Sequence, residues 1–346
     1  MSVSDEAKEV TPADAPDRDA VPAFQRFMER IGNFWTLGVL ILVIVIFGIF
    51  APSLYTKAAW LSTSSYAVEY LILAVGQTFV IITAGIDLSD GAILGFSGMA
   101  GALLMEHLIS SQASGALTVI LGIGAMLVAG LLVGVINGVL ITRLKLPPFI
   151  VTLGTLTAVT GFTNLLNHGT EITTLPNFIT NLGTASVLSG WLPVPVLIAL
   201  AVAIVFGFIL ARTRFGLRTY AIGSNEVAAR RAGIRVDRHL VIVYAISGLL
   251  AGLAGLLVTA NFSSATPLAG ANDELYAIAS VVIGGASIFG GRGTIFGTFI
   301  GTAILSVLTT GLVLTNVAPF WQQVAIGVVV IAAVAIDRVR TRVGTD

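Results

Sequence analysis

The chain has 346 residues, of which 56% are hydrophobic and only 10% are charged. A soluble domain carries roughly 25% charged residues, so this composition excludes an ordinary soluble protein and indicates a membrane protein. The formal net charge is zero, although the charges are segregated along the chain. Cysteine is absent, which excludes disulfides, thiol catalysis and cysteine-based zinc sites.

Residues 1–25 are acidic and contain Pro12, Pro16 and Pro22 but few apolar side chains. This composition predicts that residues 1–30 form a disordered cytoplasmic tail. A signal peptide would instead begin with basic residues and turn apolar at once. Residues 31–337 are predicted to form one transmembrane domain, and residues 338–346 a second cytoplasmic tail.

Long apolar runs recur from residue 34 to residue 336 and predict an all-α, polytopic membrane protein with about ten transmembrane helices. Lys and Arg concentrate in the alternate segments that would be cytoplasmic if both termini lie inside, so we expect that orientation in a plasma membrane. The predicted spans are Phe34–Phe50, Ala67–Ala84, Ala92–Met105, Ala116–Ile141, Phe149–Leu166, Leu192–Leu210, His239–Phe262, Leu275–Phe289, Thr294–Leu314 and Pro319–Ile336.

The longest segment on the outer side is Asn167–Trp191, which is polar and rich in Asn, Thr and Gly. It is long enough for a short helix or a docking surface, and a plain exposed loop is the alternative.

The longest polar stretch after the N-terminal tail is the arginine loop, residues 211–238. It contains seven arginines, opposed only by Glu226 and Asp237. Arginine at this density places a short loop in the cytoplasm.

The centre of the arginine loop predicts a short cytoplasmic helix. Ser224 or Asn225 would cap its start, Glu226 would favour the positive end of its dipole, and Gly233 would end it. Topology requires charge but not a capped helix, which favours a surface gripped by a soluble partner. The alternative is that the arginines only fix topology. The residues predicted to make that contact are Ser224, Asn225, Glu226, Ala228, Ala229 and Gly233.

Two apolar segments are interrupted by similar sequences, here called the first break (residues 85–91, GIDLSDG) and the second break (residues 284–293, GGASIFGGRG). Each leads into a matching run, GAILG or GTIFG, which indicates a weak internal repeat. Paired interruptions in two halves point to a translocation path. Alternatively, the glycines only allow close helix packing, and Asp87 and Asp90 lie in water at the cytoplasmic surface.

Few polar residues fall inside the predicted spans. Glu69 is the most costly of them and is expected near the outer end of its span, where it would reach water. No buried chain of acidic, His or Lys residues is evident, which counts against an ion-driven pump. The candidates for a path or gate are Glu69, Gln77, Asp87, Ser89, Asn137, Gly290, Gly291 and Arg292.

Enzymatic motifs are missing from the sequence. It contains neither a phosphate-cradling GxxxxGK[ST] nor an HExxH, and its three histidines each fall near the end of a predicted span. We therefore expect no catalytic activity, no metal site, no cofactor and no nucleic-acid partner.

Three stretches together resemble the permease subunits of bacterial ABC importers for sugars of the ribose, xylose and galactose type. They are residues 74–89, which contain GIDLS, then TRFG at 213–216 with the following AIGSN and AAxxAGI runs, and GG at 284–285 through GGRGT at 290–294. The resemblance covers about residues 30–336. Asp90 departs from it, because the family usually has a small or apolar residue there.

The resemblance implies a complex of two permease subunits, two ATP-binding subunits inside and a sugar-binding protein outside. The short helix in the arginine loop then looks like the coupling helix that sits in a cleft of the ATPase. ATP hydrolysis would belong to that separate subunit. The alternatives are an ABC permease for another small polar solute, such as a branched-chain amino acid, a nucleoside or a sugar alcohol, and a stand-alone ion-coupled carrier.

Overall fold

The computed structural model describes residues 34–343 of the chain. The predicted N-terminal tail therefore lies outside the described residues. The predicted C-terminal tail is described only as far as Val343, where the last helix ends.

Thirteen α-helices make up most of the described chain, in agreement with the predicted all-α class. They are α1 (Phe34–Phe50), α2 (Lys57–Ile82), α3 (Asp90–Ser110), α4 (Gly115–Arg143), α5 (Pro148–Leu166), α6 (Asn177–Thr184), α7 (Val194–Arg212), α8 (Arg214–Ser224), α9 (Glu226–Arg231), α10 (Val236–Phe262), α11 (Asp273–Ile283), α12 (Ile295–Leu314) and α13 (Pro319–Val343).

The outer segment predicted between residues 167 and 191 contains the short helix α6, followed by a small antiparallel hairpin. Its strands are β1 (Ser186–Val187) and β2 (Leu192–Pro193), with Ser186 opposite Pro193. We call the end of the bundle that carries this segment the hairpin face. The end that carries residues 211–238 is the arginine face.

Seven helices are long and apolar enough to cross a membrane: α2, α3, α4, α5, α7, α10 and α12. Helices α1 and α13 contain shorter apolar stretches. The chain is therefore a multi-pass membrane protein, and the predicted count of ten spans remains a prediction.

The predicted eighth span, Leu275–Phe289, is wrong in its extent. Helix α11 starts two residues earlier and ends at Ile283, where the glycines of the second break begin. Its 11 residues cover about 16 Å, roughly half of the 30 Å hydrocarbon core. It is a half-helix inside the bundle, and the connection from α10 makes the rest of the passage between the two faces.

Helices α2 and α10 form the core. Their apolar windows are 78% and 67% buried inside the protein, against 22% for α5 and α7. Small residues allow the closest contacts: a Cβ atom at Gly130 of α4 would collide with the carbonyl oxygen of Gly248 in α10. Such close approach is how helices gain packing energy in lipid, where burial of apolar surface contributes little.

The connection between α10 and α11 turns back into the bundle. Near the hairpin face, Ala265 pairs with Ile172 in an isolated bridge. A few residues later the chain reaches the start of α3, where a Cβ atom at Gly91 would collide with the carbonyl oxygen of Gly270. Helices α3 and α11 therefore begin beside each other inside the protein. This arrangement brings acidic residues from distant parts of the sequence together.

Candidate functional site

The arginine loop forms two short helices instead of the single one that was predicted. Thr213 caps α8, since its Oγ1 accepts a hydrogen bond of 3.3 Å from the amide of Gly216. Asn225 caps α9 by accepting one of 2.9 Å from the amide of Ala228. Of the two predicted caps, Asn225 is therefore the one used. Gly233, at φ +81°, lies two residues after the end of α9 and supplies the left-handed turn that was predicted there.

Helix α9 exposes Val227 near its start. Val227 is 60% exposed, and Glu226 and Ala228 on either side are also exposed. Ala229 is different: it is 4% exposed and packs with Ile222 and Val236. Ala229 therefore anchors α9 to the rest of the loop and does not reach a partner directly.

Arg230 ties α9 to the start of α10. Its guanidinium contacts the carboxylate of Glu226 at 2.8 Å and that of Asp237 at 2.5 Å. These carboxylates raise the pKa of Arg230 above its ordinary value. Both contacts are exposed to solvent, so their main effect is to fix the orientation of α9 rather than to add much stability.

The second break packs directly against the arginine loop. The amide of Gly291 donates a hydrogen bond of 2.9 Å to the carbonyl oxygen of Ile82, the last residue of α2. The hydroxyl of Tyr220 in α8 donates one of 2.7 Å to the carbonyl oxygen of Gly293. A Cβ atom at Gly223 would collide with the carbonyl oxygen of Ile82. A movement of α8 is therefore transmitted to α2 and to the second break.

The first break lies inside the protein. Asp87 is 0% exposed and Asp90 is 1% exposed, so the alternative that they lie in water at the cytoplasmic surface is wrong. The Oδ1 of Asp87 accepts hydrogen bonds from the amide and the hydroxyl of Ser89, at 2.9 and 2.6 Å. This local ring holds the unwound backbone between α2 and α3 in one shape.

Neighbouring helices extend this polar network. The side-chain amide of Asn137 in α4 donates to the hydroxyl of Ser89 at 2.8 Å, and Thr155 in α5 donates to Asn137 at 2.6 Å. Ser247 in α10 donates to Oδ1 of Asp90 at 2.9 Å. Hydrogen bonds of this kind offset the cost of placing carboxyl groups inside a membrane protein.

The fold also assembles a chain of acidic residues, so the expectation that no such chain exists is wrong. Asp87 and Asp90 are both buried in the first break, and a carboxyl oxygen of Glu274 lies where a Cβ atom at Gly91, the residue after Asp90, would be. Glu274 follows Asp273 at the start of α11, and both side chains are buried. Half-helix α11 makes this chain, because it begins inside the bundle beside the start of α3.

Glu69 was expected near the outer end of its helix, but it does not lie there. Helix α2 begins at Lys57, ten residues before the predicted start, so Glu69 lies near the middle of a 26-residue helix. Its side chain is half-buried. The starting point was missed because Ser62, Thr63, Ser64 and Ser65 lower the local hydropathy.

The predicted path residues fall into two groups. Gln77, Asp87, Ser89 and Asn137 are each 0% exposed and would reach a path only if the helices separated. Arg292 is exposed, and Gly290 and Gly291 are half-exposed, at the arginine face. Glu69 belongs to neither group, since it contributes to the wall of a cavity toward the hairpin face.

A cavity of about 690 Å³ lies between α9 and the first break. Glu226 and Arg230 of α9 line one side of it, and Gly85 and Tyr244 line the other. The hydroxyl of Tyr244 is buried without a hydrogen-bond partner. Helix α9 and the broken backbone thus border one space at the arginine face.

Sequence reasoning missed Asp273, Glu274 and Val227. The first two were placed just outside the predicted eighth span. Their acidic pair in an otherwise apolar region, immediately before an apolar run, was the available signal. Val227 was treated only as a helix former, because a single exposed apolar residue is common on protein surfaces.

Residues 60–334 match the protein family described as "branched-chain amino acid transport system / permease component". The chain is 41% identical over 318 residues to the ribose import permease protein RbsC of Bacillus subtilis, which covers 91% of this chain and 94% of the relative. It is 38% identical over 321 residues to the D-allose transport system permease protein AlsC of Escherichia coli, at 91% and 93% coverage.

A third relative, the fructose import permease protein FrcC of Rhizobium meliloti, is 34% identical to this chain over 349 residues. The alignment covers 97% of this chain and 93% of the relative. No solved structure matches the chain. The resemblance to permease subunits of ABC sugar importers is thus confirmed at the level of the family. The chain belongs to the permease family described as branched-chain amino acid transport system / permease component.

Proposed function

We propose that this chain is the permease subunit of an ATP-driven importer in a bacterial plasma (inner) membrane, and that it translocates a neutral monosaccharide of the pentose or hexose class. Relatives of nearly the same length carry the names of ribose, D-allose and fructose permeases. ATP hydrolysis takes place in a separate subunit. The chain itself holds the membrane path, with both termini on the arginine face, in the cytoplasm.

The proposal that ATP hydrolysis in a separate subunit drives this permease is supported by one observation, the position of α9. It is capped at Asn225, exposes Val227, and belongs to the loop whose neighbouring helix α8 is bonded to the second break through Tyr220. A soluble ATPase that grips α9 would therefore move α2 and the second break as well. Rigid-body movement of packed helices is a standard way to switch access between two sides of a membrane.

The proposed partners are two ATPase subunits on the arginine face, an extracytoplasmic sugar-binding protein on the hairpin face, and a second copy of this chain. The segment 167–191, with α6 and the hairpin, is the proposed docking surface for the binding protein. There, Lys57 donates to the carbonyl oxygen of Ser189 at 3.0 Å and Trp60 donates to that of Trp191 at 2.6 Å. These bonds keep the hairpin attached to α2.

The test is to purify the detergent-solubilised chain from its native membrane and to measure the ATPase activity of the eluate with candidate binding proteins. Co-elution of an ATPase that one sugar-loaded binding protein stimulates is the expected result. A chain that elutes alone and moves solute in liposomes on an ion gradient would contradict the proposal. It would make the acidic residues Glu69 and Asp87 candidates for ion sites.

A second candidate substrate class is the branched-chain amino acids, because the family's description refers to their transport. Binding proteins loaded with leucine or with a sugar separate the two candidates in the same ATPase assay. Stimulation by the leucine-loaded protein alone would favour the amino acid.

A further inference from the structure

A second cavity at the arginine face, of about 510 Å³, lies between α8 and the start of α10. Three arginines line it: Arg218 of α8, Arg235 just before α10, and Arg238 in the first turn of α10. Among the described residues that line it, none is Asp or Glu. It shares no lining residue with the cavity beside the first break. We call it the basic cavity.

The acidic residues of the arginine loop do not neutralise the three arginines of the basic cavity. Glu226 and Asp237 both bind Arg230 of α9, and both line the cavity beside the first break instead. Within the part of the chain that the structure describes, the three arginines form no ion pair. Topology alone would explain their charge, but the shape and the position of the cavity indicate a more specific role.

The buried side of the basic cavity is fixed to the core of the bundle. Phe215 of α8 stacks on His239 of α10, with ring centroids 4.3 Å apart, and it also contacts Phe79 of α2, at 6.0 Å. Nε2 of His239 is hydrogen-bonded with the hydroxyl of Thr219 at 2.9 Å. His239 is only 6% exposed. These contacts hold α8 and α10 in place on either side, so the cavity is a preformed space.

The position of the basic cavity, at the end of a membrane-crossing helix, indicates which ligand reaches it. Arg235, Arg238 and Ile242 are spaced by three and four residues and lie on one side of α10. Ile242 lies one turn farther into the span and is 39% exposed. This side of α10 therefore changes from cationic to apolar toward the membrane interior, just as a bilayer changes from its headgroups to its acyl chains.

We propose that the basic cavity binds the headgroup of an anionic phospholipid, whose phosphate oxygens accept hydrogen bonds from the guanidinium groups of Arg218, Arg235 and Arg238. The guanidinium fork matches the geometry of a phosphate group, and basic pockets beside membrane-crossing helices suit such headgroups. One acyl chain then lies along Ile242. The volume falls within the roughly 300–1,000 Å³ of small-molecule sites. The proposal does not depend on which solute the permease carries.

A lipid in the basic cavity would connect two parts of the arginine face. Arg218 belongs to α8, whose Tyr220 is hydrogen-bonded to the second break, whereas Arg235 and Arg238 belong to the start of α10. A phosphate group held from both sides opposes the separation of α8 from α10. The lipid would thus restrain the same unit that a soluble ATPase is proposed to move.

The first test measures lipid binding by the full-length chain in detergent, with native mass spectrometry and either phosphatidylglycerol or phosphatidylcholine as the probe. We expect the chain to retain phosphatidylglycerol in preference to phosphatidylcholine. Arg218→Gln and Arg238→Gln should each lower the affinity for phosphatidylglycerol about fivefold. Arg231→Gln is the matched control, because Arg231 is exposed in the same loop but does not line the cavity. Its affinity should equal that of the native chain.

A second measurement identifies the source of the phosphate group. The chain has no cysteine, so Ile234→Cys introduces a single thiol into the wall of the basic cavity, and Val227→Cys introduces one on α9, outside it. Phosphatidylglycerol should slow maleimide labelling at position 234 but not at position 227. Inorganic phosphate at the same concentration should slow neither. When Arg238→Gln is added to Ile234→Cys, about fivefold more lipid should be needed for the same protection.

Four results would overturn the lipid site. Equal retention of the two lipids would remove the role of charge. A loss for Arg231→Gln as large as that for Arg238→Gln would show that the loop attracts lipid only by its overall charge. Protection of position 234 by inorganic phosphate would assign the cavity to a soluble phosphate compound, and protection only by a co-purified ATPase would assign it to the ATPase contact. All four leave the proposed transport function intact.

Discussion

The amide of Gly291 and the carbonyl oxygen of Ile82 are joined by a hydrogen bond of 2.9 Å. Ile82 ends α2, the most buried span of the protein, whereas Gly291 belongs to the second break. Gly223 of the arginine loop lies against both residues. This contact connects the proposed ATPase surface to the centre of the bundle, and the first prediction tests it.

Gly223→Ala should weaken coupling between ATP hydrolysis and uptake. The added Cβ atom would collide with the carbonyl oxygen of Ile82 and approach the amide of Gly291 to 2.7 Å, so α8 must move away from α2. Overpacking of this kind costs about 1–3 kcal/mol. We expect a lower melting temperature and less sugar transported per ATP hydrolysed. Gly124→Ala is the control, because nothing lies within 4 Å of a Cβ atom there.

Val227→Asp should reduce the binding of the ATPase. Val227 is 60% exposed on α9, and a carboxylate in its place would become buried without a partner charge when the ATPase covers α9. We expect about tenfold less ATPase in the purified complex. Leu188→Asp, at a residue 71% exposed on the hairpin face, should leave ATPase binding unchanged. Equal ATPase recovery from both variants would show that α9 is not the contact surface.

Asn225→Ala should loosen α9 more than Ser224→Ala does. Only Asn225 caps the helix, and loss of a cap costs about 1 kcal/mol, which corresponds to roughly a fivefold change in local opening. Trypsin cleavage after Arg230 and Arg231 measures that opening in the isolated permease. Equal cleavage rates for the two variants would argue against the cap.

Asp87→Asn and Asp87→Ala should differ in their effect on the stability of the protein. Asp87→Asn keeps an oxygen that can accept the two hydrogen bonds from Ser89 and removes a carboxyl group that is 0% exposed, so stability should be equal or higher. Asp87→Ala leaves the buried amide of Ser89 without an acceptor and should cost about 1–3 kcal/mol. Thermal unfolding in detergent compares them. A loss for Asp87→Asn as large as that for Asp87→Ala would show that the negative charge itself stabilises the break.

Much of the fold could be predicted, because the membrane imposes simple rules on the sequence. Apolar runs such as 116–141 and 294–314 predicted α4 and α12 to within a few residues, since a helix in lipid must be long and apolar. The short helix α9 was predicted from local signals alone: Asn225, Glu226 and Gly233 act on their own neighbours in sequence. The bounds of α2 and α11 were harder to predict from the sequence, because the serine and acidic residues that these helices place inside the bundle are typical of loops.

The sequence by itself determined the class of the protein, the helical spans, the capped helix of the arginine loop and the resemblance to a permease family. These follow from composition and from interactions within one turn of chain. Only the tertiary structure decided that Asp87 and Asp90 are buried and that Glu274 lies against the start of α3. It also decided that the second break contacts the end of α2. Those parts are far apart in the sequence, and they meet because α11 begins inside the bundle and glycines let α8, α2 and the second break approach closely.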